Sequence, residues 1–141
     1  MPSPAGGAYS TAWDIATFGQ AFLSGGRHGD ARLLSPASAR AMTRNQIPGM
    51  SAHFFWEFFP EASWGLGWDV RGSKKSGLDG SLQSPATFGH GGGGVVFLWV
   101  DPAEELLVVY FSVALVGPTG APSTFADLFC NAATAAVVDG A

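Results

Sequence analysis

Apolar positions along the chain fall into helical and strand periods in turn. Ile15, Phe18 and Phe22 share one helical face, after Thr11 as a cap with Asp14 three residues on and before a Ser24-Gly25-Gly26 stop. Ser35-Pro36 opens a second, short helix that Asn45-Gln46-Ile47-Pro48-Gly49 breaks. Residues 50–63 crowd aromatics without a clean period. From Trp64 to Val70 the pattern alternates, with Trp64, Leu66, Trp68 and Val70 on one side of an expected strand. Residues 71–85 are polar and rich in Gly and Ser, as a loop would be. Two apolar runs, Val95–Val100 and Leu106–Val113, flank the turn Asp101-Pro102-Ala103-Glu104-Glu105 and predict an antiparallel hairpin. A last helix is expected from Ser123 or Thr124, with Phe125, Leu128, Phe129 and Ala132 on one face and Ala136 extending it. Strands that follow a helical part, with a helix closing the chain, imply an α+β fold. It would hold a partial antiparallel sheet of about three strands flanked by helices, the C-terminal helix packed on the sheet.

With 141 residues, the expectation is a single domain spanning 1–141. Charged residues make up only 13 % against 47 % hydrophobic, so the chain is globular and has apolar surface to cover. A net charge of −4 with no basic block argues against nucleic acid as a partner. Cys130 lies in a helical apolar pattern and reads as a packing residue. Its isolation, and three histidines without mutual spacing, give no metal-site signal, and no cofactor is expected. The first residues lack the pattern of a secretory signal, and the longest apolar stretch is too short to span a bilayer.

The chemistry concentrates in Phe88-Gly89-His90-Gly91-Gly92-Gly93-Gly94, which runs straight into Val95-Val96-Phe97-Leu98-Trp99-Val100. Gly89, Gly91 and Gly94 match G-x-G-x-x-G in form, but that motif holds phosphate only where it opens a helix, and here a strand follows. His90-Gly91-Gly92-Gly93 also spells the oxyanion motif of lipase-type hydrolases. Those enzymes need a later G-x-S-x-G and a later histidine, and neither occurs. A strand built to let another chain approach remains, whether for packing or for substrate.

Four blocks in order decide more than this stretch alone: PAGGAYSTAWDIATFGQAFLSGGR, RLLSPASARAMTRNQ, WGLGWDV and FGHGGGGVVFLWVDP. Together they resemble the C-terminal portion of the serine hydrolases related to class C β-lactamases and penicillin-binding proteins, from about Pro4 to Val113, and the final helix fits as well. The resemblance implies that His90-Gly91-Gly92 falls on the family's third motif, Lys-Thr/Ser-Gly, which esterase-like and peptidase-like relatives replace by His-x-Gly. It implies that His90 stands at the lysine position, near the proton network of the nucleophile. Gly91 and Gly92 would then border the substrate, and the Gly93 N–H would be an oxyanion-hole donor. Gly91 lacks the hydroxyl of the usual Thr or Ser, which points to esterase-like rather than β-lactamase or transpeptidase chemistry.

The family's other motifs are absent. Neither Lys74 nor Lys75 has a serine three residues before it, and neither Tyr9 nor Tyr110 begins Tyr-x-Asn. The resemblance therefore implies a C-terminal segment that supplies one wall of a site for a small ester, amide or peptide substrate and is inactive alone. The alternatives are a non-catalytic binding module and a truncated, inactive fragment. Without the N-terminal half, strand Leu106–Val113 is expected to keep a bare edge that pairs with that half or with a second copy. The aromatics from Phe54 to Phe59 either line a pocket or pack, and packing is the more general use of such side chains. His28 is expected in a solvent-facing loop.

Overall fold

The computed structural model describes residues 6–54, 57–74, 80–92, 96–113 and 124–138, and within these it describes no side chain for Phe54, Thr124 or Phe125. Helix α1 (Ala12–Leu23) begins where the Thr11 hydroxyl accepts the Asp14 N–H at 3.1 Å, and it ends at Ser24. Gln20 and Phe22 carbonyls accept the two N–H groups that close that end. A two-residue ribbon follows, β1 (Arg27–His28) against β2 (Ala31–Arg32), and His28 is exposed on it. Helix α2 (Pro36–Thr43) starts with Ser35 accepting the Ser38 N–H at 3.0 Å and Pro36 in its first turn.

The aromatic stretch that showed no period forms a second ribbon, β3 (Ala52–Phe54) paired with β4 (Glu57–Phe59). Phe59 is buried, while Phe58 is half-exposed and rests on His53 at 4.9 Å between ring centroids. Phe55 and Trp56 lie outside the described residues.

The main sheet has the order β5 (Asp69–Val70), β6 (Phe88–Gly92), β7 (Val96–Asp101), β8 (Leu106–Tyr110), antiparallel throughout. Its faces follow the alternation of the sequence. One face carries Phe88, Leu98, Val100 and Val70 against Phe22 and Ile15 of α1, Ala39 of α2, and Trp68. Phe22, Trp68 and Phe88 meet edge to face, with centroids 4.9 Å and 5.2 Å from the Trp68 ring. Gly19 lets α1 come down onto this face, since a Cβ there would stand 2.9 Å from Leu98 Cδ1. The opposite face carries Phe97, Trp99 and Val108 against α3 (Thr124–Ala135). The architecture is therefore α+β, a partial antiparallel sheet with α1 and α2 on one side and the C-terminal helix on the other. No described helix is long and apolar enough to cross a membrane.

Two expectations need correction. Trp64–Val70 is not one strand: only Asp69 and Val70 join the sheet, and Trp64 reaches Asp69 through an isolated bridge. Gly67 at φ +80° turns the chain between them, closed by Gly65 N–H donating to the Trp68 carbonyl at 2.8 Å. Trp68 and Val70 are buried as expected, but Leu66 is 53 % exposed. The α3 face also differs. Ala126 and Cys130 are fully covered, whereas Leu128 and Phe129 are substantially exposed. The large rings of Phe97 and Trp99 already fill that side of the sheet, so the helix approaches with its smallest residues. The Phe125 side chain lies outside the described residues.

Candidate active-site wall

Strand β6 is placed by its ends and its glycines. At its start, Thr87 donates to the Asp101 carboxylate at 2.9 Å. The same carboxylate accepts the Ser84 N–H at 2.8 Å, the Ser84 hydroxyl at 2.5 Å and the Ala103 N–H at 3.1 Å. Asp101 is 4 % exposed and Thr87 is fully buried, so one carboxylate ties the 80–87 loop to the β7–β8 turn. Burial pushes the Asp101 carboxyl up, but the bonds from Ser84, Thr87 and Ala103 outweigh it and hold the group below the ordinary aspartate value. From the sequence alone, Asp101 belongs only to the hairpin turn.

Gly89 then admits Trp99 beneath the strand. A Cβ at Gly89 would lie 2.0 Å from Trp99 Cε3 and 2.3 Å from the Leu98 carbonyl oxygen. Gly91 is different, since a Cβ there would meet only the Val96 carbonyl oxygen, at 3.8 Å. At Gly92 the nearest atom would be Val96 Cγ2, at 2.9 Å. Packing among the described residues thus demands glycine at 89 but not at 91.

His90, Gly91 and Gly92 pair with Leu98, Phe97 and Val96 of β7, and all three are exposed. On the other side β5 reaches only Phe88 and Gly89. Among the described residues, no strand pairs with that edge of His90–Gly92. Gly93 lies outside the described residues, as do Gly94 and Val95.

The His90 Nδ1 stands 2.6 Å from the Gly91 carbonyl oxygen. A carbonyl can only accept, so Nδ1 carries the proton in this contact, and Nε2 is the ring nitrogen left for another partner. Trp64 meets the imidazole edge to face, with centroids 5.9 Å apart. Lys74 lies over the same indole, its Nζ 5.6 Å from the ring centroid. That ammonium donates to the Ser63 carbonyl at 2.9 Å and forms a short ion pair with Asp69. Burial raises the Asp69 carboxyl above the ordinary aspartate value, although Lys74 and, less strongly, His90 pull it down. Ser63 is buried with φ +45°, and it is its carbonyl, not its hydroxyl, that meets Lys74.

A cavity of about 280 Å³ opens beyond Lys74, with Phe58 and Phe59 of β4 on its wall. Trp64, Asp69 and Lys74 were not singled out as site residues from sequence. The one signal in the sequence is an acid and an aromatic in the segment Trp64–Asp69, where alternation reads as strand patterning.

Comparison with known proteins bears on the family and the fold. A family model described as Beta-lactamase matches residues 1–128. The chain is 29 % identical over 124 residues to a putative D-alanyl-D-alanine carboxypeptidase of Escherichia coli O157:H7, a match covering 87 % of this chain and 26 % of that protein. It is 28 % identical over 127 residues to the protein of that name from Salmonella agona, covering 89 % and 26 %. Among solved structures, a beta-lactamase from Mycobacterium bovis superposes with a TM-score of 0.76 at 28 % identity, covering 89 % of this chain and 44 % of that one. The chain thus spans about a quarter of the length of the curated relatives it matches.

Proposed function

The chain belongs to the beta-lactamase family, and on that premise we propose that it forms the C-terminal part of an esterase-like serine hydrolase domain and supplies one wall of its acyl-transfer site. The single observation that carries this reading is the open edge of β6, where exposed His90, Gly91 and Gly92 pair with β7 on one side and lack a strand neighbour on the β5 side among the described residues. An extended ester, amide or peptide substrate can lie along such an edge without meeting side chains at 91 and 92.

The reaction needs a serine that this chain does not carry on Ser-x-x-Lys. That serine, from an N-terminal half, attacks the substrate carbonyl. The bond to the leaving group breaks, and the serine proton ends on the leaving group. Water then attacks the acyl-enzyme, releasing the acid and restoring the serine. In this scheme the Gly93 N–H donates to the oxyanion, a contact of a kind that lowers the barrier by about 3–4 kcal/mol. His90 stands in the proton network beside the nucleophile, with Nε2 as its acceptor. Gly91, without a hydroxyl, leaves no donor for a substrate carboxylate at that position. The outer edge of β8 is where the N-terminal half pairs, and a second copy takes that edge when the half is absent.

The test is labelling by a fluorophosphonate probe, with sedimentation of the same samples. The chain alone should remain unlabelled and should associate. Mixed with the N-terminal half of a related hydrolase, it should yield labelling on the serine of that half, reduced at least tenfold by His90→Ala. Stoichiometric labelling of a serine within this chain would overturn the proposal, as would labelling indifferent to His90.

A further inference from the structure

Between His90 and the rest of the fold stands a chain of three side chains, Trp64, Lys74 and Asp69. The His90 ring projects from an exposed strand and, among the described residues, has one short hydrogen bond, to its neighbour's carbonyl. That bond fixes which nitrogen is protonated, but a single bond to an adjacent residue leaves the ring free to swing about it. The second contact is the edge-to-face meeting with Trp64, itself 38 % exposed and therefore not fixed by burial. What touches the Trp64 indole in turn is the Lys74 ammonium.

Lys74 is fixed far better than a surface lysine. It has a carboxylate partner in Asp69, a carbonyl partner in Ser63 and a π face in Trp64. The Ser63 carbonyl faces it from a residue held in the left-handed region, a conformation that costs about 1–3 kcal/mol and persists only where surrounding contacts enforce it. The same carbonyl accepts the Val70 N–H at 3.2 Å, which ties the arrangement to strand β5. A desolvated cation over an indole is attracted by the ring's negative face, and the ring loses freedom in proportion.

We infer that Lys74, anchored by Asp69 and the Ser63 carbonyl, is a positioning residue that clamps the Trp64 indole against His90 and so fixes the direction of the imidazole Nε2. The clamp rests on the reading of His90 as a site residue for its use, but its geometry is testable without any turnover. Lysine and arginine both serve as the cation over an aromatic face, whereas methionine keeps the stem and loses the charge.

The experiment is a nuclear Overhauser measurement between the Trp64 indole and the His90 imidazole protons in the full chain. The cross-peak should be strong in the wild type, retained in Lys74→Arg and weakened at least threefold in Lys74→Met. Methyl resonances of Leu98 and Val100 should stay in place and report an intact core. If Lys74→Met does not fold, Asp69→Asn removes the charged anchor while leaving the lysine and should weaken the same cross-peak. A full-strength cross-peak in a folded Lys74→Met or Asp69→Asn chain would overturn the clamp. So would a loss that Lys74→Arg fails to restore. Neither result touches the labelling experiment, which depends on a serine supplied by another segment.

Discussion

Replacing Asp101 by Asn keeps the shape of the side chain and removes its charge and one acceptor oxygen. In the wild type the two carboxylate oxygens take four hydrogen bonds, two each: Ser84 N–H and Thr87 Oγ1 on Oδ2, Ser84 Oγ and Ala103 N–H on Oδ1. An amide retains one oxygen, so two of the donors face an NH₂ group instead. Hydrogen bonds to a charged group contribute about 1.5–3 kcal/mol each. Ser84 and Ala103 lie near enough to solvent to recover part of that, whereas Thr87 is sealed. The expected loss at neutral pH is about 2–4 kcal/mol, read from urea denaturation followed by tryptophan fluorescence.

The pH dependence sharpens the test. A carboxyl held below its unfolded value contributes stability that is complete above about pH 4 and disappears as pH falls through the folded value. Asn does not titrate, so the gap between wild type and Asp101→Asn should be widest at neutral pH and shrink steadily on acidification. Asp69 works in the opposite sense. Its raised value means the folded state takes up a proton more readily than the unfolded chain, so its ionisation costs stability above that value and the cost is relieved as pH falls. Asp69 is present in both proteins and cancels in the comparison. A loss below about 0.5 kcal/mol at neutral pH, the range of ordinary surface changes, would refute the role of Asp101 as the tie between the loop and the turn. A gap that does not narrow in acid would refute the charge-assisted account of it.

Two further sets of variants test packing. Gly89→Ala drives a methyl into Trp99 and the Leu98 carbonyl and should cost about 3 kcal/mol or prevent folding, whereas Gly91→Ala, with 3.8 Å of clearance, should stay within about 1 kcal/mol by the same denaturation assay. On α3, Ala126→Leu should destabilise by about 1–3 kcal/mol because the covered face is already filled, while Leu128→Ser should change stability by less than about 0.5 kcal/mol.

Local signals carried most of the architecture. Both helix starts were legible because a cap hydroxyl and its N–H partner lie three residues apart, as Thr11 with Asp14 and Ser35 with Ser38 show. The β7–β8 hairpin was legible because both strands are apolar and one short turn joins them. What escaped depended on the partner across the fold. Alternation in Trp64–Val70 matched a strand, but a left-handed glycine inside it makes a turn, and periodicity does not register φ. On α3 two apolar faces compete, Phe125-Leu128-Phe129 and Ala126-Cys130. Hydrophobicity favours the first, and only the bulk of Phe97 and Trp99 opposite decides for the second.

The site divides along the same line. The strand placement of His90, Gly91 and Gly92 was legible because the glycine run leads straight into an apolar run. The groups around His90 were not, because Asp69 and Lys74 look like ordinary loop charges until the turn at Gly67 brings Trp64 back beside Asp69. Glycine plays two parts on β6 that the letters cannot distinguish. At 89 it admits the Trp99 ring, and its loss would break the sheet. At 91 nothing among the described residues requires it, so the absence of a side chain there is free to serve whatever lies along the open edge. On the function proposed above, a position that packing against the described residues leaves unconstrained, next to an exposed histidine whose Nδ1 is held by its own strand, is where a change of substrate can be made without a change of fold.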